Sequence, residues 1–222
     1  MSTDFVTKGY HWARQALSPA ELLRLTNWVD ENHGGAGTRH VRIDGIKNLL
    51  APTGTVGALA DELLPKAHPV RVTVFNKSND QNWLVPWHQD RVIAVRDKHD
   101  LAGYSAWTKQ GDYWHCEPPI EAFKKSLFIR IHLDELTTEN GAMQIASASH
   151  LNGFVPAGNA RGLAENCEIE TGECKAGDLL ACNSLILHRS GKSKTNSRRR
   201  TIRIDYSAFD LPEPLEWAIE QE

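Results

Sequence analysis

At Pro69 the hydrophobic rhythm of the chain changes from a period near 3.6 to a period of 2, and this limits the folds open to it. Before that point the apolar residues fall on helical stripes. Leu22, Leu25, Trp28 and Val29 share one face of a predicted helix. Ser18 is its N-cap, Pro19 its first helical residue, and Glu21 completes a capping box. His33-Gly34-Gly35 is expected to stop it. A second helix is predicted from Val56 to Leu64, with Val56, Leu59, Ala60 and Leu63 on one stripe and Pro65 as terminator. Between the two helices, Val41 to Ile46 is expected to form a short strand.

After Pro69, Val70, Val72 and Val74 alternate with Arg71, Thr73 and Phe75, the pattern of a half-buried strand. Asn76 to Gln81 is polar and predicts a turn. A strand through Trp83 to Asp90 follows, continued by Val92 to Val95. A short helix is expected from Ile120 to Lys125. Strands are expected at Leu127 to Leu133, Ala142 to Ala146, Cys167 to Ile169, Leu179 to Cys182, Leu185 to Leu187 and Arg199 to Tyr206. Turns fall at Thr137 to Gly141 and Lys175 to Asp178, and residues 151–166 are expected to be loop. Many short strands after a helical start predict a mainly β (α+β) fold. We expect a jelly-roll barrel, or double-stranded β-helix, with N-terminal helices packed outside. The 222 residues suit one domain, with residues 1–66 as its helical part. Residues 97–120 interleave Tyr104, Trp107, Tyr113 and Trp114 with Gly103, Gly111, Pro118 and Pro119. Long loops in compact domains are commonly functional, so this stretch is expected to be a lid.

Composition narrows the partners. A formal net charge of −3 argues against nucleic acid and against anionic membrane surfaces. No apolar run reaches membrane-spanning length. Met1 to Phe5 lack a charged segment followed by an apolar one, so no signal peptide is expected. The four cysteines, at 116, 167, 174 and 182, form no C-x-x-C pair. The expected setting is cytoplasmic and the expected partner a small molecule, with the oligomeric state open.

Within the strand region, Trp83-Leu84-Val85-Pro86-Trp87-His88-Gln89-Asp90 concentrates the chemistry. Residues i and i+2 of a strand share a face, so His88 and Asp90 converge. A second imidazole, for which His188 is the natural candidate, completes a set of two His and one carboxylate. Such a set holds iron with open positions for small ligands. His132-Leu133-Asp134 and His115-Cys116-Glu117 offer similar triplets. Downstream, Ser197 to Tyr206 is an arginine-rich strand suited to an acidic co-substrate. Its alternation puts Arg200, Ile202, Ile204 and Tyr206 on one face, and Arg199, Thr201, Arg203 and Asp205 on the other.

Several features occur in order: Trp87-His88-Gln89-Asp90, His132-Leu133-Asp134, Glu139 to Ile145, Ser149-His150, Gly177-Asp178, His188-Arg189-Ser190-Gly191 and Arg199. This series resembles the phytanoyl-CoA dioxygenase family of Fe(II)/2-oxoglutarate oxygenases, from about residue 45 to Trp217. The resemblance selects the His-Gln-Asp element over the other triplets and implies His88, Asp90 and His188 as metal ligands. It implies Fe(II), 2-oxoglutarate and O2 as the reacting set. The co-substrate chelates iron through its keto acid, and its far carboxylate goes to Arg199, eleven residues after the distal His, and to Ser190. Arg130 stands where family members often carry an aromatic residue. It is expected to touch the co-substrate or an acidic substrate, or else to pair with Asp205 or Asp134. Gln89, Asn82 and Gln144 are expected to orient ligand groups, and Arg198 and Arg200 to form a solvated patch. Halogenating relatives lack the carboxylate that Asp90 provides, which implies hydroxylation or another oxidation. The chain departs from the family at Ser147-Ala148-Ser149-His150, where relatives have Pro-Gly-Ser-His. Readings in other classes are a cupin-like metal-dependent hydrolase or isomerase, and a non-catalytic ligand-binding jelly roll.

Overall fold

The computed structural model describes residues 3–32, 37–40, 43–77 and 82–219. The expected helix stop at 33–35, residues 41 and 42 of the expected strand and residues 78–81 of the expected turn lie outside these. Three antiparallel sheets carry the chain. Six strands form the larger one, in the order β1 (Tyr10–Ala13), β11 (Leu179–Asn183), β8 (Ser126–His132), β13 (Arg199–Ser207), β3 (His68–Lys77) and β2 (Gly37–His40). A four-stranded sheet runs β10 (Ile169–Thr171), β9 (Met143–Ala146), β12 (His188–Ser190) and β4 (Val85–His88). The third has the order β5 (Ile93–Val95), β7 (Tyr113–Glu117) and β6 (Ser105–Gln110). The first two sheets face each other, since Phe128, Leu180 and Cys182 of one pack with Met143 and Ile145 of the other. This is the expected jelly-roll arrangement.

Helices cover the outer face of the six-stranded sheet. α2 (Pro19–Asn32) buries Leu25, Trp28 and Val29, and α4 (Thr55–Leu63) buries Val56, Leu59, Ala60 and Leu63. They pack on Ile129 and Ile131 of β8 and on Ile202, Ile204 and Tyr206 of β13. Each fully buried side chain of this kind contributes roughly 1.5–3 kcal/mol. The Tyr206 hydroxyl donates to the carbonyl of Leu50, in α3 (Lys47–Leu50), which ties the helical layer to the sheet. The capping box forms as the sequence predicts. The Ser18 amide donates to Glu21 Oε2 at 2.8 Å, and the Glu21 amide donates to Ser18 Oγ at 3.3 Å.

Several expectations are corrected. α1 (Thr3–Lys8) and β1 precede the first predicted helix. Ile43 to Ile46 form a turn rather than a strand end. Leu185 to Leu187 are buried but lie in the turn before β12. Within 151–166 runs a helix, α6 (Ala157–Ala164), whose Ala160 and Ala164 pack on Trp87 of β4. The Gly/Asn/Ala-rich composition suggested loop because Gly and Asn disfavour helix; packing of the Ala160 and Ala164 face on Trp87 overrides that weak preference. Val92 to Val95 does not extend β4; β5 leaves for the third sheet. There it pairs with β7, so most of the stretch expected as a lid is a hairpin. α5 (Ile120–Lys124) follows it as predicted. Among the described residues no helix is long and apolar enough to cross a membrane.

The departure at Ser147-Ala148-Ser149-His150 keeps its turn. Ala148 takes φ +61° at the head of a 3-10 turn, Ser149–Asn152. The Ser149 hydroxyl accepts the Leu187 amide at 2.8 Å, one residue before His188. A left-handed conformation strains any residue with a β-carbon. Ala148→Gly is expected to stabilise the protein by about 1 kcal/mol in urea unfolding, with unchanged slope.

Two buried histidines make the fold less stable in acid. Burial, then the neighbouring Arg71 and Arg39, lowers the His115 pKa to about 4. Burial, then Arg130, lowers that of His132 to about 3. Their unfolded pKa is about 6.5, so below that pH the unfolded chain binds more protons than the folded one. Stability is untouched by these groups above about pH 6.5 and falls by up to about 1.4 kcal/mol per pH unit for each as pH drops. His115→Gln with His132→Gln is expected to flatten the dependence of unfolding free energy on pH between about 6 and 4.5, against the parent chain.

Candidate metal centre

β12 and β4 are antiparallel neighbours in a register that sets His188 opposite His88. The two rings lie 4.3 Å apart, centre to centre. Each Nδ1 lies against the carbonyl two residues back: His88 on Pro86 at 2.9 Å, His188 on Ile186 at 3.1 Å. A carbonyl only accepts, so both Nδ1 atoms carry the proton and both Nε2 lone pairs face the centre. Asp90 completes the set, with Oδ1 3.6 Å from His88 Nε2 and Oδ2 3.2 Å from His188 Nε2. One donor atom from each residue falls within 4.8 Å of the others. Two neutral imidazoles and a hard carboxylate on one side of a point fit Fe(II).

Strand alternation is not what brings Asp90 in. β4 ends at His88, and Gln89 and Asp90 follow in irregular backbone. Gln89 fixes that segment from behind. Its Nε2 donates to Gly153 and Leu185 carbonyls at 2.8 and 2.6 Å, and its Oε1 accepts the Val155 amide at 2.9 Å.

A chain of buried charges holds the carboxylate. Arg203 Nη1 donates to Asp90 Oδ2, while Arg203 Nε and Nη2 donate to Asp205 Oδ1 at 2.8 and 2.6 Å. Asp205 Oδ2 accepts from Arg71 Nε, and Arg71 Nη1 donates to the Val92 carbonyl at 3.2 Å. The β13–β3 register, which sets Asp205 opposite Arg71, builds the last link. Burial would raise the pKa of Asp90, but the Arg203 guanidinium and the two histidines hold it well below the usual carboxylate range. Burial likewise opposes the charge on His88, yet Asp90 and the Pro86 carbonyl raise its pKa. At His188 burial wins and the pKa falls despite Asp90.

The triad opens on a cleft of about 200 Å³. Arg199 and Thr201 line it from β13, as alternation predicts, and Arg130 from β8. Ser190 lines it from β12. Arg199 is buried, and its Nη1 donates to the Asn140 carbonyl at 2.7 Å and to that of Gly141. Gly141 has φ +80°, and a β-carbon there would fall 2.6 Å from Arg199 Nη1. The turn at 137–141 is thus shaped around this guanidinium. Arg130 pairs with neither Asp205 nor Asp134, which bind Arg71, Arg203 and Arg200. Its Nε is buried without a hydrogen-bond partner, and its guanidinium carbon lies 5.5 Å from the Phe75 ring centre.

The other candidates fall elsewhere. His132 stacks near Trp12 at 5.8 Å, and Asp134 belongs to an ion-pair group with Arg200 and Asp30. Arg200 is therefore half-buried and ion-paired in that group rather than solvated, and Arg198 also reaches Asp30. His115 sits in β7 beside Tyr113, at 5.3 Å between rings. No residue of 97–120 lines the cleft; the hairpin stands behind Arg39 and Arg71. Asn82 exchanges hydrogen bonds with the Ser193 backbone at 2.8 and 2.7 Å, and Gln144 accepts from Arg189 at 2.7 Å, so both brace strand ends. Sequence reasoning missed Arg203, Arg71 and Arg39. The available signal was Arg71 and Asp205, each a charge on the non-valine face of a core strand.

Arg203 holds the Asp90 carboxylate in place, so Arg203→Gln is expected to weaken binding of a divalent metal by about ten- to hundredfold, with the circular dichroism spectrum kept. Calorimetric titration of Co(II) into the metal-free protein checks this; unchanged affinity means that Asp90 needs no such support.

The model of the phytanoyl-CoA dioxygenase (PhyH) family matches residues 5–201. No curated protein matches the sequence. Among solved structures, EctD from S. alaskensis with bound Fe superposes with a TM-score of 0.69 at 14% identity, over 92% of this chain and 74% of that one. The α-ketoglutarate-dependent epimerase SnoN from nogalamycin biosynthesis gives 0.65 at 15% identity, over 92% and 78%. HygX from Streptomyces hygroscopicus, with nickel and 2-oxoglutarate bound, gives 0.59 at 14% identity, over 91% and 84%. At these identities the superpositions speak for the fold, and the family match speaks for the chemistry. The hydrolase and non-catalytic readings give way: the chain belongs to the phytanoyl-CoA dioxygenase family, and is an oxidoreductase of the Fe(II)- and 2-oxoglutarate-dependent dioxygenase type, with O2 as the oxidant.

Proposed function

We propose that the protein hydroxylates, or otherwise oxidises, a C–H bond of a small anionic molecule while 2-oxoglutarate is converted to succinate and CO2. The observation that carries this reading is the charge of the cleft. Five arginines, Arg39, Arg130, Arg189, Arg199 and Arg203, line it beside the His88–Asp90–His188 set, against one carboxylate. His88 and His188 would hold Fe(II) through Nε2 and Asp90 through a carboxylate oxygen. With 2-oxoglutarate bound, that centre supplies O2 activation coupled to oxidative decarboxylation.

The residues of the chain do the rest. Arg199 takes the far carboxylate of 2-oxoglutarate through a planar, two-point contact, with the Ser190 hydroxyl beside it. The carbonyls of Asn140 and Gly141 occupy Nη1 and so aim the guanidinium. Its Nη2 makes no hydrogen bond among the described residues. Arg203 keeps Asp90 ionised by donating to its Oδ2. Arg130 supplies a further cation within the cleft. The presence of Asp90, which halogenating relatives lack, supports hydroxylation or a related oxidation. Four free cysteines support a reducing, cytoplasmic setting.

Purified protein is expected to release succinate from 2-oxoglutarate only when Fe(II) and O2 are both present. Asp90→Ala is expected to reduce that release at least a hundredfold. Arg199→Lys is expected to raise the KM for 2-oxoglutarate about tenfold or more, the loss of one charge-assisted hydrogen bond. Full activity in Asp90→Ala with intact fold would remove the assignment.

A further inference from the structure

The cations of the cleft outnumber what one diacid neutralises. Arg203 is satisfied by Asp90 and Asp205. Arg189 donates to Gln144 and lies over the Trp87 ring at 4.9 Å. Arg199 is committed to the far carboxylate of 2-oxoglutarate on the reading above, and the keto-acid end goes to the metal. Both charged ends of the co-substrate are then accounted for, and Arg130 and Arg39 are left over.

Arg130 is the unusual one. It lies opposite Arg203 in the β13–β8 register, half-buried in the cleft wall, and no ion pair or hydrogen bond reaches it among the described residues. Burial and the nearby Arg203 and Arg199 lower its pKa to about 10, so it stays charged at neutral pH. A half-buried charge whose Nε is buried without a partner is costly, and a ligand anion is the compensation that the site leaves room for. Arg39 stands exposed at the rim of the same cleft, with no ion pair among the described residues. The remaining wall is apolar, with Phe75, Leu136 and Met143.

We propose that Arg130, assisted by Arg39, anchors an oxyanionic group of the primary substrate, so that the enzyme acts on an amphipathic acid rather than on a neutral or cationic molecule. This rests on the co-substrate assignment made above. The anion is a carboxylate or a phosphate monoester, and the attached apolar portion lies along Phe75 and Met143. Arg130 thus selects the substrate by charge and fixes which end of it points away from the metal.

The test uses the protein loaded with Ni(II) and 2-oxoglutarate, which binds without turning over. Hexanoate, hexyl phosphate and hexanamide are titrated in separate calorimetric experiments. At least one of the two anions is expected to bind about tenfold or more tightly than hexanamide, and the tighter anion identifies the group. Arg130→Gln is expected to abolish that preference while leaving 2-oxoglutarate affinity within about threefold of the parent. Arg130→Lys, which keeps the charge, is expected to retain part of the preference and guards against a folding defect. Arg39→Gln is expected to weaken it less than Arg130→Gln does. The inference is overturned if neither anion is preferred over the amide, or if Arg130→Gln loses 2-oxoglutarate and keeps the preference. Failure of the Ni(II)-loaded parent chain to bind 2-oxoglutarate would instead overturn the co-substrate assignment itself, and with it this inference.

Discussion

The site depends on one backbone pairing. β12 and β4 are short, yet their hydrogen-bond ladder places His188 directly across from His88. Everything else at the centre is arranged around two imidazoles whose separation the ladder has already set. The carbonyls of Pro86 and Ile186 choose the tautomer of each ring in the same way, so the two Nε2 atoms arrive equivalent. Asp90 needs separate support because it lies past the strand end. Gln89 gives that support by binding three backbone groups of two neighbouring loops.

Electrostatics complete what the ladder begins. An ionised Asp90 next to two histidines would be poorly tolerated if buried alone. The run Asp90–Arg203–Asp205–Arg71 alternates sign from the centre back to the Val92 carbonyl, so each charge has a neighbour of opposite sign. Breaking such a chain in the middle leaves a buried charge exposed to a low dielectric, which is why the whole run matters and not one pair. The cleft side is treated differently. There positive charge accumulates at Arg130 and Arg199, and no carboxylate of the described residues pairs with either.

Much of this was legible in the sequence. The period change at Pro69 located β3 and the run of strands after it, but not β1 and β2, which join the same sheet from the helical part. The capping box at Ser18 and Glu21 marked α2, and alternation in β13 sorted Arg199 and Thr201 toward the cleft and Ile202 and Ile204 toward the helices. The three residues of the His88–Asp90–His188 set do come together, but not for the stated reason at Asp90, because a local rule about strands cannot report where a strand ends. The fate of Arg130 was illegible for a related reason. Whether it pairs with Asp205 depends on Arg71 and Arg203 reaching that carboxylate first, a competition between three strands that no local pattern records. Residues 97–120 were misjudged because Gly103, Gly111 and the two prolines mark turns equally well in a loop and in a hairpin.

His188 stands a hundred residues from His88 along the chain, and His88 lies at the end of β4, the edge strand of its sheet. An ion gripped by both histidines would therefore act as a removable staple between distant segments. Such a staple adds binding free energy to folding free energy whenever the unfolded chain cannot offer the same grip. Iron supply would then govern the lifetime of the protein in a cell as well as its rate of turnover, and scarcity of the metal would thin the enzyme's population through proteolysis of the loosened edge.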